Sequence, residues 1–470
     1  MADETLTWKT AHELAALIKS RAVSPVEVLD AHLAVIERVN PKLNAIVTLA
    51  AEAARASARA AEDAVIRGEA LGPLHGLPIG VKDVTPTAGI RTTYGSRLYA
   101  DHVPDHDAEI VRRLKAAGAI VIGKTNTPEF AAGANTVNEV FGATRNPWNV
   151  KLSAGGSTGG GAAGLAAGMF PLAEGTDFGG SLRVPAAFCG VVGLRPTPGL
   201  TPLYPTALPW DTLRVSGPMA RTAEDVALML SAVGGPFDKS PISLPSSVAD
   251  LPERVRSISA KDLRIGYVTD ISGVGVESEI DAVCRKAARN FEAAGARVEE
   301  TTLDLSEGRM AFPVLRGMAV VLTHRNRLDK IDRMGKNLAG NIRSGQALTT
   351  EQVLNAEAAR AQLWQRTNEF FSRYDVLLTP CVPVAPFPVE QGHPESIGGR
   401  AMNSYIDWIA PTFVLTLVSV PAASVPAGLD SRGLPVGLQI VCPRFQEATV
   451  LGLARILQEC IPMPAVPIEA

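Results

Sequence analysis

Short apolar runs separated by glycine-rich and helical segments dominate residues 74–199, and this pattern constrains the fold more than any other feature. Three of the runs, at residues 77–81, 119–122 and 191–192, are rich in Val, Ile and Leu, as is typical of buried strands. A helical segment at residues 107–117 lies between two of them. Buried strands that alternate with helices predict an α/β sheet covered by helices on both faces.

The N-terminal part of the chain, residues 1–70, is predicted to be helical. Helices are expected to follow Thr10 and Ser24, because each is followed three residues later by a glutamate, which completes a capping box. A third, alanine-rich helix over residues 49–68 is expected to end at Gly68.

The second half of the chain alternates between connectors, helices and strands. The expected elements are a Pro/Ser-rich connector over residues 234–261, strands over 263–268 and 296–298, a helix over 277–294, a mostly helical stretch over 305–375, a hairpin over 421–441 and a closing helix over 446–458. The stretch over 305–375 is more charged than its surroundings and is expected to form a cap or an accessory layer.

Composition excludes several classes of function. The 470 residues carry 45 Lys+Arg against 48 Asp+Glu, a net charge of −3, which argues against a nucleic-acid-binding protein. The longest apolar stretch, residues 411–429, is interrupted by Pro421 and Pro426 and suits buried strands and turns better than a membrane span. No signal peptide is visible, and five cysteines without CxxC spacing favour a reducing cytoplasm over a disulfide framework.

Two short motifs match known patterns but lack the context that those patterns need. Residues 118–125 fit GxxxxGK[ST], but the intervening Ala-Ile-Val-Ile is itself strand-like, so its amides are expected to pair within a sheet. Residues 155–159 fit the GxSxG nucleophile elbow, but only His324 and His393 follow as candidate bases, and both lie in charged or polar segments that resemble loops. No His/carboxylate cluster predicts zinc, and no metal or cofactor is expected.

The densest chemical signal is a pair of glycine-rich loops that each carry a serine, Ser157 within residues 153–164 and Ser181 within residues 175–185. Gly179 and Gly180 would expose amide N–H groups beside the Ser181 hydroxyl, which is the geometry that stabilises a tetrahedral oxyanion. Taken alone, each loop also fits a glycine-rich turn whose serine caps a helix.

A serine nucleophile needs a base, and no histidine lies near either loop. Lys82 stands at the end of an apolar strand, and burial lowers the pKa of a lysine by up to about 3–5 units, which would leave its amine neutral. The serine hydroxyls would then serve as its polar partners. An ion pair of Lys82 with Asp83 or another acid is the equally open alternative.

Six motifs, in order and with matching spacing, together resemble the amidase signature family. They are HGLPIGVKD at 75–83, GKTNTPEF at 123–130, RNPW at 145–148, GGSTGG at 155–160, GTDFGGSLR at 175–183 and SGPMAR at 216–221. The resemblance implies an α/β fold with one large domain over residues 1–470, built on a mixed, many-stranded twisted sheet with helices on both faces. Its parts would be a helical N-terminal part over 1–70, a catalytic core over 70–230 and a variable helical substrate-side region over 305–410.

By the same resemblance, Ser181 is the nucleophile that forms an acyl-enzyme. Ser157, in a cis peptide linkage in the family, bridges the nucleophile to Lys82, which acts as the base. The residues implied to support this triad are an oxyanion hole of the backbone amides of Phe178, Gly179, Gly180 and Ser181, the bracing residues Ser153, Asp177 and Arg183, and a substrate-binding position at Ala131. Phe178 and Thr158 depart from the small polar residue and the serine that are common in the family.

The resemblance implies an amidase that hydrolyses a small carboxylic acid amide to a carboxylate plus ammonia or an amine, and the supply of aromatic and apolar residues favours an aryl, alkyl or similar small amide. Alternatives are the glutaminase subunit of a tRNA-dependent amidotransferase and a non-catalytic binding protein with the same fold. A homodimer is the expected assembly, with no nucleic-acid or membrane partner. Aromatic candidates for the pocket lining, each of which fits the core equally well, are Trp210, Phe312, Tyr405, Trp408 and Phe413.

Overall fold

The computed structural model describes residues 5–245 and 247–469. Its helices are α1 (Thr5–Trp8), α2 (Ala11–Lys19), α3 (Pro25–Leu43), α4 (Ala51–Arg67), α5 (Glu109–Ala116), α6 (Gly159–Ala166), α7 (Arg183–Cys189), α8 (Ala223–Val233), α9 (Leu251–Ser257), α10 (Ser278–Ala288), α11 (Asn290–Ala293), α12 (Gly308–His324), α13 (Lys336–Gln346), α14 (Thr350–Arg373), α15 (Ala410–Leu417) and α16 (Glu447–Cys460). Its strands are β1 (Ile46–Leu49), β2 (Pro78–Lys82), β3 (Ile120–Thr125), β4 (Val137–Asn138), β5 (Gly142–Ala143), β6 (Arg145–Asn146), β7 (Asn149–Ser153), β8 (Leu172–Asp177), β9 (Val192–Arg195), β10 (Val215–Ala220), β11 (Arg264–Tyr267), β12 (Arg297–Glu300), β13 (Val376–Pro380), β14 (Ser396–Ile397), β15 (Arg400–Ala401), β16 (Ala422–Leu429) and β17 (Pro435–Val441).

One eleven-stranded mixed sheet organises the chain, in the order β1-β3-β2-β8-β10-β9-β16-β17-β13-β11-β12. Strand β2 runs parallel to both of its neighbours, β3 and β8, and β11 runs parallel to β12 and β13. The other pairs in the sheet are antiparallel. The predicted α/β class with a mixed, many-stranded sheet is therefore confirmed.

Both faces of the sheet are buried against helices. In β3, Val121 belongs to one hydrophobic cluster, while Ile120 and Ile122 belong to another, because alternate residues of a strand point to opposite faces. The cluster that contains Val121 includes residues of α5, α8 and α16, and the cluster on the opposite face includes residues of α3 and α6. Towards the other end of the sheet, α12, α14 and α15 supply a third cluster.

The predicted helix starts are confirmed. Thr10 and Ser24 each accept a hydrogen bond from the backbone N–H of the glutamate three residues later, and each glutamate reaches back to the capping residue's N–H. Helix α4 ends at Gly68, which has a φ of 72°. Residues 120–125 form a strand whose backbone pairs with β1 and β2, so the GxxxxGKT match is not a phosphate loop.

Three predicted segments differ from the structure. The connector over 234–261 contains α9, whose buried Leu251 and Val255 anchor it to the core. The helix over 277–294 is divided at Arg289 into α10 and α11. The region over 305–410 is mainly helical only to Arg373, because β13 then joins the central sheet.

Close packing at Gly164 gives a test of the core. A Cβ at Gly164 in α6 would lie 2.3 Å from Phe170 Cζ, so Gly164→Ala is expected to destabilise the protein by about 1–3 kcal/mol. Gly340 in α13 is the matched control, because a Cβ there meets no described atom within 4 Å. Gly340→Ala should stabilise the protein by about 0.5–1 kcal/mol. Unfolding midpoints measure both, and equal shifts for the two variants would contradict this account.

Candidate active site

Lys82 is the last residue of β2, and its side chain is fully buried. Because β2 and β8 lie side by side, this end of β2 meets the carboxyl-terminal half of β8. Lys82 Nζ lies within hydrogen-bonding distance of Ser157 Oγ at 2.7 Å, Thr158 Oγ1 at 2.8 Å and Thr176 Oγ1 at 3.1 Å. The amine is thus surrounded by three hydroxyl groups.

Burial lowers the pKa of Lys82 to about 7, although the negative charges of Glu174 and Asp177 oppose the shift. The alternative of an ion pair with Asp83 is not realised. Asp83 accepts hydrogen bonds from the backbone N–H and hydroxyl of Thr93 instead. A neutral amine beside a serine hydroxyl is able to accept a proton, which a permanently charged lysine is not.

The loop that carries Ser157 is held by hydrogen bonds to its backbone. The Ser153 hydroxyl donates to Asn135 Oδ1 at 2.7 Å and accepts the Gly155 N–H at 3.0 Å. The peptide bond between Gly156 and Ser157 is cis. The structure therefore places Ser153 as a brace of this loop, without a hydrogen bond to the Lys82 amine.

Ser181 lies in the turn between β8 and α7, and Asp177 holds this turn. Asp177 is fully buried between two arginines, Arg183 at 3.1 Å and Arg195 at 3.4 Å. Burial alone would raise the pKa of Asp177, but the two guanidinium groups outweigh it and lower the pKa to about 2. Asp177 is therefore ionised at neutral pH, and its carboxylate accepts the N–H groups of Gly180 and Leu182 in this turn.

Hydrogen bonding within this turn corrects one part of the predicted oxyanion hole. The Gly180 N–H already donates to Asp177 Oδ1 at 2.9 Å, so it is not free for a substrate oxygen. The N–H groups of Phe178, Gly179 and Ser181 donate to no residue in the described part of the chain. The packing of Thr412 explains why residue 180 is a glycine, because a Cβ at this position would lie 2.2 Å from Thr412 Oγ1.

Ser157 and Ser181 line the same cavity, which has a volume of about 300 Å³. Ala131, predicted as a substrate-binding position, also lines this cavity and has a φ of 59°. Among the aromatic candidates, Phe312 and Tyr405 line the cavity. The other three do not: Trp210 is 71% exposed, and Trp408 and Phe413 are buried in the core.

Several buried polar residues around the site were missed at the level of sequence. Glu174 accepts the Lys82 backbone N–H and the Thr85 hydroxyl, and Lys124 donates to Thr85 O and Thr87 Oγ1. Burial raises the pKa of Glu174 and lowers that of Lys124, while their opposite charges counteract both shifts. A charged residue inside an otherwise apolar strand, as Lys124 is in β3, is the signal that could have identified them.

Two kinds of feature are absent from the described residues. They contain no group of three or more His, Cys, Asp or Glu side chains arranged to hold a metal ion. No helix among them has the length and apolar character needed to cross a bilayer.

Comparison with known proteins places the whole chain among amide-cleaving enzymes and their relatives. The family model described as Amidase matches residues 27–451. An acylamidase of Rhodococcus erythropolis is 36% identical over 461 residues, which cover 97% of this chain and 96% of that protein. A glutamyl-tRNA(Gln) amidotransferase subunit of Moorella thermoacetica is 36% identical over 481 residues, which cover 97% of each. The crystal structure of a bacterial aryl acylamidase matches with a TM-score of 0.91 and 29% identity, covering 97% of this chain and 96% of that one.

The geometry predicts how a fluorophosphonate probe reacts with the site. Ser181 should be the labelled residue, and the labelling rate should rise with pH through about 7 and then level off, because only the uncharged Lys82 amine accepts a proton. Lys82→Ala and Ser157→Ala should each slow labelling and remove this pH dependence. Mass spectrometry of the labelled peptide and the rate at each pH measure these effects.

Ser57→Ala is the matched control, because Ser57 is exposed on α4 and its hydroxyl bonds only the Ala53 carbonyl. This variant should label at the wild-type rate. Attachment of the probe to a different residue, or a rate independent of pH in the wild type, would refute the assignment.

Proposed function

This chain belongs to the amidase signature family, and on that premise we propose that it hydrolyses a small aryl or alkyl carboxylic acid amide to a carboxylate and ammonia or an amine. The observation that supports this most directly is the 2.7 Å contact between Lys82 Nζ and Ser157 Oγ at the edge of the cavity that Ser181 lines. A buried, neutral amine that takes up the proton of a serine through a second hydroxyl acts as the base for attack by that serine.

In the first half-reaction, the Ser181 oxygen attacks the amide carbon while its proton passes to Ser157, whose own proton passes to Lys82. The carbonyl oxygen becomes an oxyanion, which the free N–H groups of Phe178, Gly179 and Ser181 are positioned to stabilise. One such donor is worth about 10²–10³ in rate. Collapse of the adduct breaks the C–N bond, and the proton held by Lys82 returns through Ser157 to the leaving nitrogen.

In the second half-reaction, a water molecule attacks the acyl-enzyme carbonyl. Its proton passes along the same relay to Lys82 and then back to the Ser181 oxygen as the ester bond breaks. The carboxylic acid product leaves, and the resting protonation state is restored. The relay therefore acts as a base and then as an acid in each half-reaction, which suits a group with a pKa near neutrality.

The lining of the cavity supports an aromatic or alkyl substrate. Phe178, Phe312 and Ile409 lie along it close to Ser181, and Tyr94, Tyr99 and Phe130 form a second aromatic group. Such surfaces bind apolar groups by excluding water and by ring packing.

The glutaminase subunit of a tRNA-dependent amidotransferase is the second candidate, because an amidotransferase relative matches over nearly the full length of both chains. Glutamine carries an α-ammonium group as well as a carboxylate. No aspartate or glutamate is found among the described residues that line the cavity, so this ammonium group would have no anionic partner there. We therefore favour an enzyme that works without a partner subunit.

We further propose that the enzyme works in the cytoplasm as a homodimer. The five cysteines are free, four of them buried, which suits a reducing compartment. Gel filtration with light scattering tests the dimer.

Hydrolysis of acetanilide tests the proposal. The wild type should release aniline, and Ser181→Ala should lower kcat by at least about 10³-fold with the fold intact, because the nucleophile is lost. Ser57→Ala should retain wild-type kinetics. A Ser181→Ala variant with near-normal kcat would overturn the assignment of the nucleophile.

Ammonia release from glutamine distinguishes the second candidate. The isolated protein should hydrolyse acetanilide with a higher kcat/KM than glutamine, and no second subunit should co-purify from its native host. Glutamine hydrolysis that depends on a co-purifying chain would favour the amidotransferase role.

A further inference from the structure

Three arginines from different elements face the cavity that Ser157 and Ser181 line. Arg214 immediately precedes β10, Arg316 lies in α12, and Arg327 follows α12. None of the three forms an ion pair within 4 Å with a residue in the described ranges, whereas Arg183 and Arg195 nearby both pair with Asp177. Three unpaired cations therefore converge on a cavity that has no acidic residue in its described lining.

The guanidinium of Arg214 has no hydrogen-bond acceptor among the described residues. Asp211 attracts it electrostatically, but Asp211 accepts the Leu213 N–H and does not line the cavity. Burial and the charge of Arg316 both lower the pKa of Arg214, because the two cations repel one another. An anion between them would relieve that repulsion.

Each of these guanidinium groups lies close to an aromatic ring. Arg214 lies 5.4 Å from the ring centre of Phe178, Arg316 lies 5.7 Å from that of Tyr405, and Arg327 lies 5.0 Å from that of Phe130. The edge N–H groups of Arg214 and Arg327 remain, and these are the donors that bind a planar carboxylate in a fork.

Tyr405 adds a neutral donor to the same region. Its hydroxyl oxygen accepts hydrogen bonds from Arg316 Nη2 and Asn341 Nδ2, both at 2.7 Å. Since both lone pairs are occupied, the hydroxyl hydrogen is left for an acceptor. Tyr405 lines the cavity, so a substrate oxygen is able to take that hydrogen.

We infer that the substrate is an amide that carries a carboxylate a few bonds from the scissile C–N bond, and that Arg214 is the specificity-determining residue that binds this carboxylate. The short spacing follows from the position of Arg214. It lies beside Val215, which pairs with Asp177, and close to the ring of Phe178 in the turn that carries Ser181. This inference rests on the proposed function and narrows its substrate class.

Two matched pairs of anilides test which side of the amide bears the carboxylate. Glutaranilate and valeranilide differ by a carboxylate on the acyl side, and 3-acetamidobenzoate and 3-acetamidotoluene differ by one on the amine side. The carboxylate member of at least one pair should have the higher kcat/KM, by about 10- to 100-fold, as expected for hydrogen bonds to a charged group. Equal or faster hydrolysis of the neutral member in both pairs would overturn the inference.

Variants of Arg214 assign the effect to this residue. Arg214→Gln should abolish the preference for the carboxylate member while it changes kcat/KM for the neutral member by less than about 3-fold, and Arg214→Lys should retain part of the preference. Arg325→Gln is the matched control, because Arg325 is exposed at the end of α12 and does not line the cavity. An equal loss for both members in Arg214→Gln would show a structural role and would refute the inference.

A binding measurement separates this inference from the proposed function. Glutarate and benzoate are titrated calorimetrically into Ser181→Ala and into the double variant Ser181→Ala/Arg214→Gln. Saturable binding of either acid that is weakened about 10-fold or more in the double variant supports the carboxylate site even if no anilide is hydrolysed. Absence of binding by both acids, with Ser181 of the wild type still labelled by the fluorophosphonate, overturns the carboxylate site and leaves the proposed function standing.

Discussion

The buried amine of Lys82 is the group on which the rest of the site depends. Removing an ammonium group from water is costly, and three hydroxyl oxygens with no carboxylate in direct contact do not compensate for a full charge. Glu174 and Asp177 lie farther away and offset part of that cost. The resulting balance places the pKa of the amine near neutrality, where a single group can both accept and return a proton.

The ion pairs of Asp177 perform a different task in the turn that carries Ser181. A buried pair of this kind contributes little net stability, because desolvation of the charges offsets most of their attraction. What it does supply is a fixed geometry: Asp177 holds Arg183, Arg195 and the Gly180 N–H at once. The turn that carries Ser181 is therefore set by a charged network, and three of its amides stay available for a substrate oxygen.

Charge is distributed unevenly across the cavity. Glu174 and Asp177 are buried in β8 and do not line the cavity, whereas Arg214, Arg316 and Arg327 do. His324 lies among those arginines, and burial together with the charges of Arg327 and Arg214 lowers its pKa to about 3, so it remains neutral. The cavity thus combines aromatic walls with positive potential, and that combination distinguishes a carboxylate-bearing amide from a cationic one.

Contiguous motifs determined much of this protein from sequence alone: the α/β class, the capped helices at Thr10 and Ser24, and the loops around Ser157 and Ser181. Such features depend on residues that are neighbours in the chain, because their spacing determines the hydrophobic periodicity of strands and helices, the capping of helices and the position of turns. Only the tertiary structure decided that the Lys82 amine contacts three hydroxyl groups and not Asp83. It also decided that the Gly180 N–H bonds Asp177 and that Arg214, Arg316 and Arg327 line one cavity. Those contacts join residues far apart in sequence, and no local pattern specifies which strands and helices the sheet order brings together.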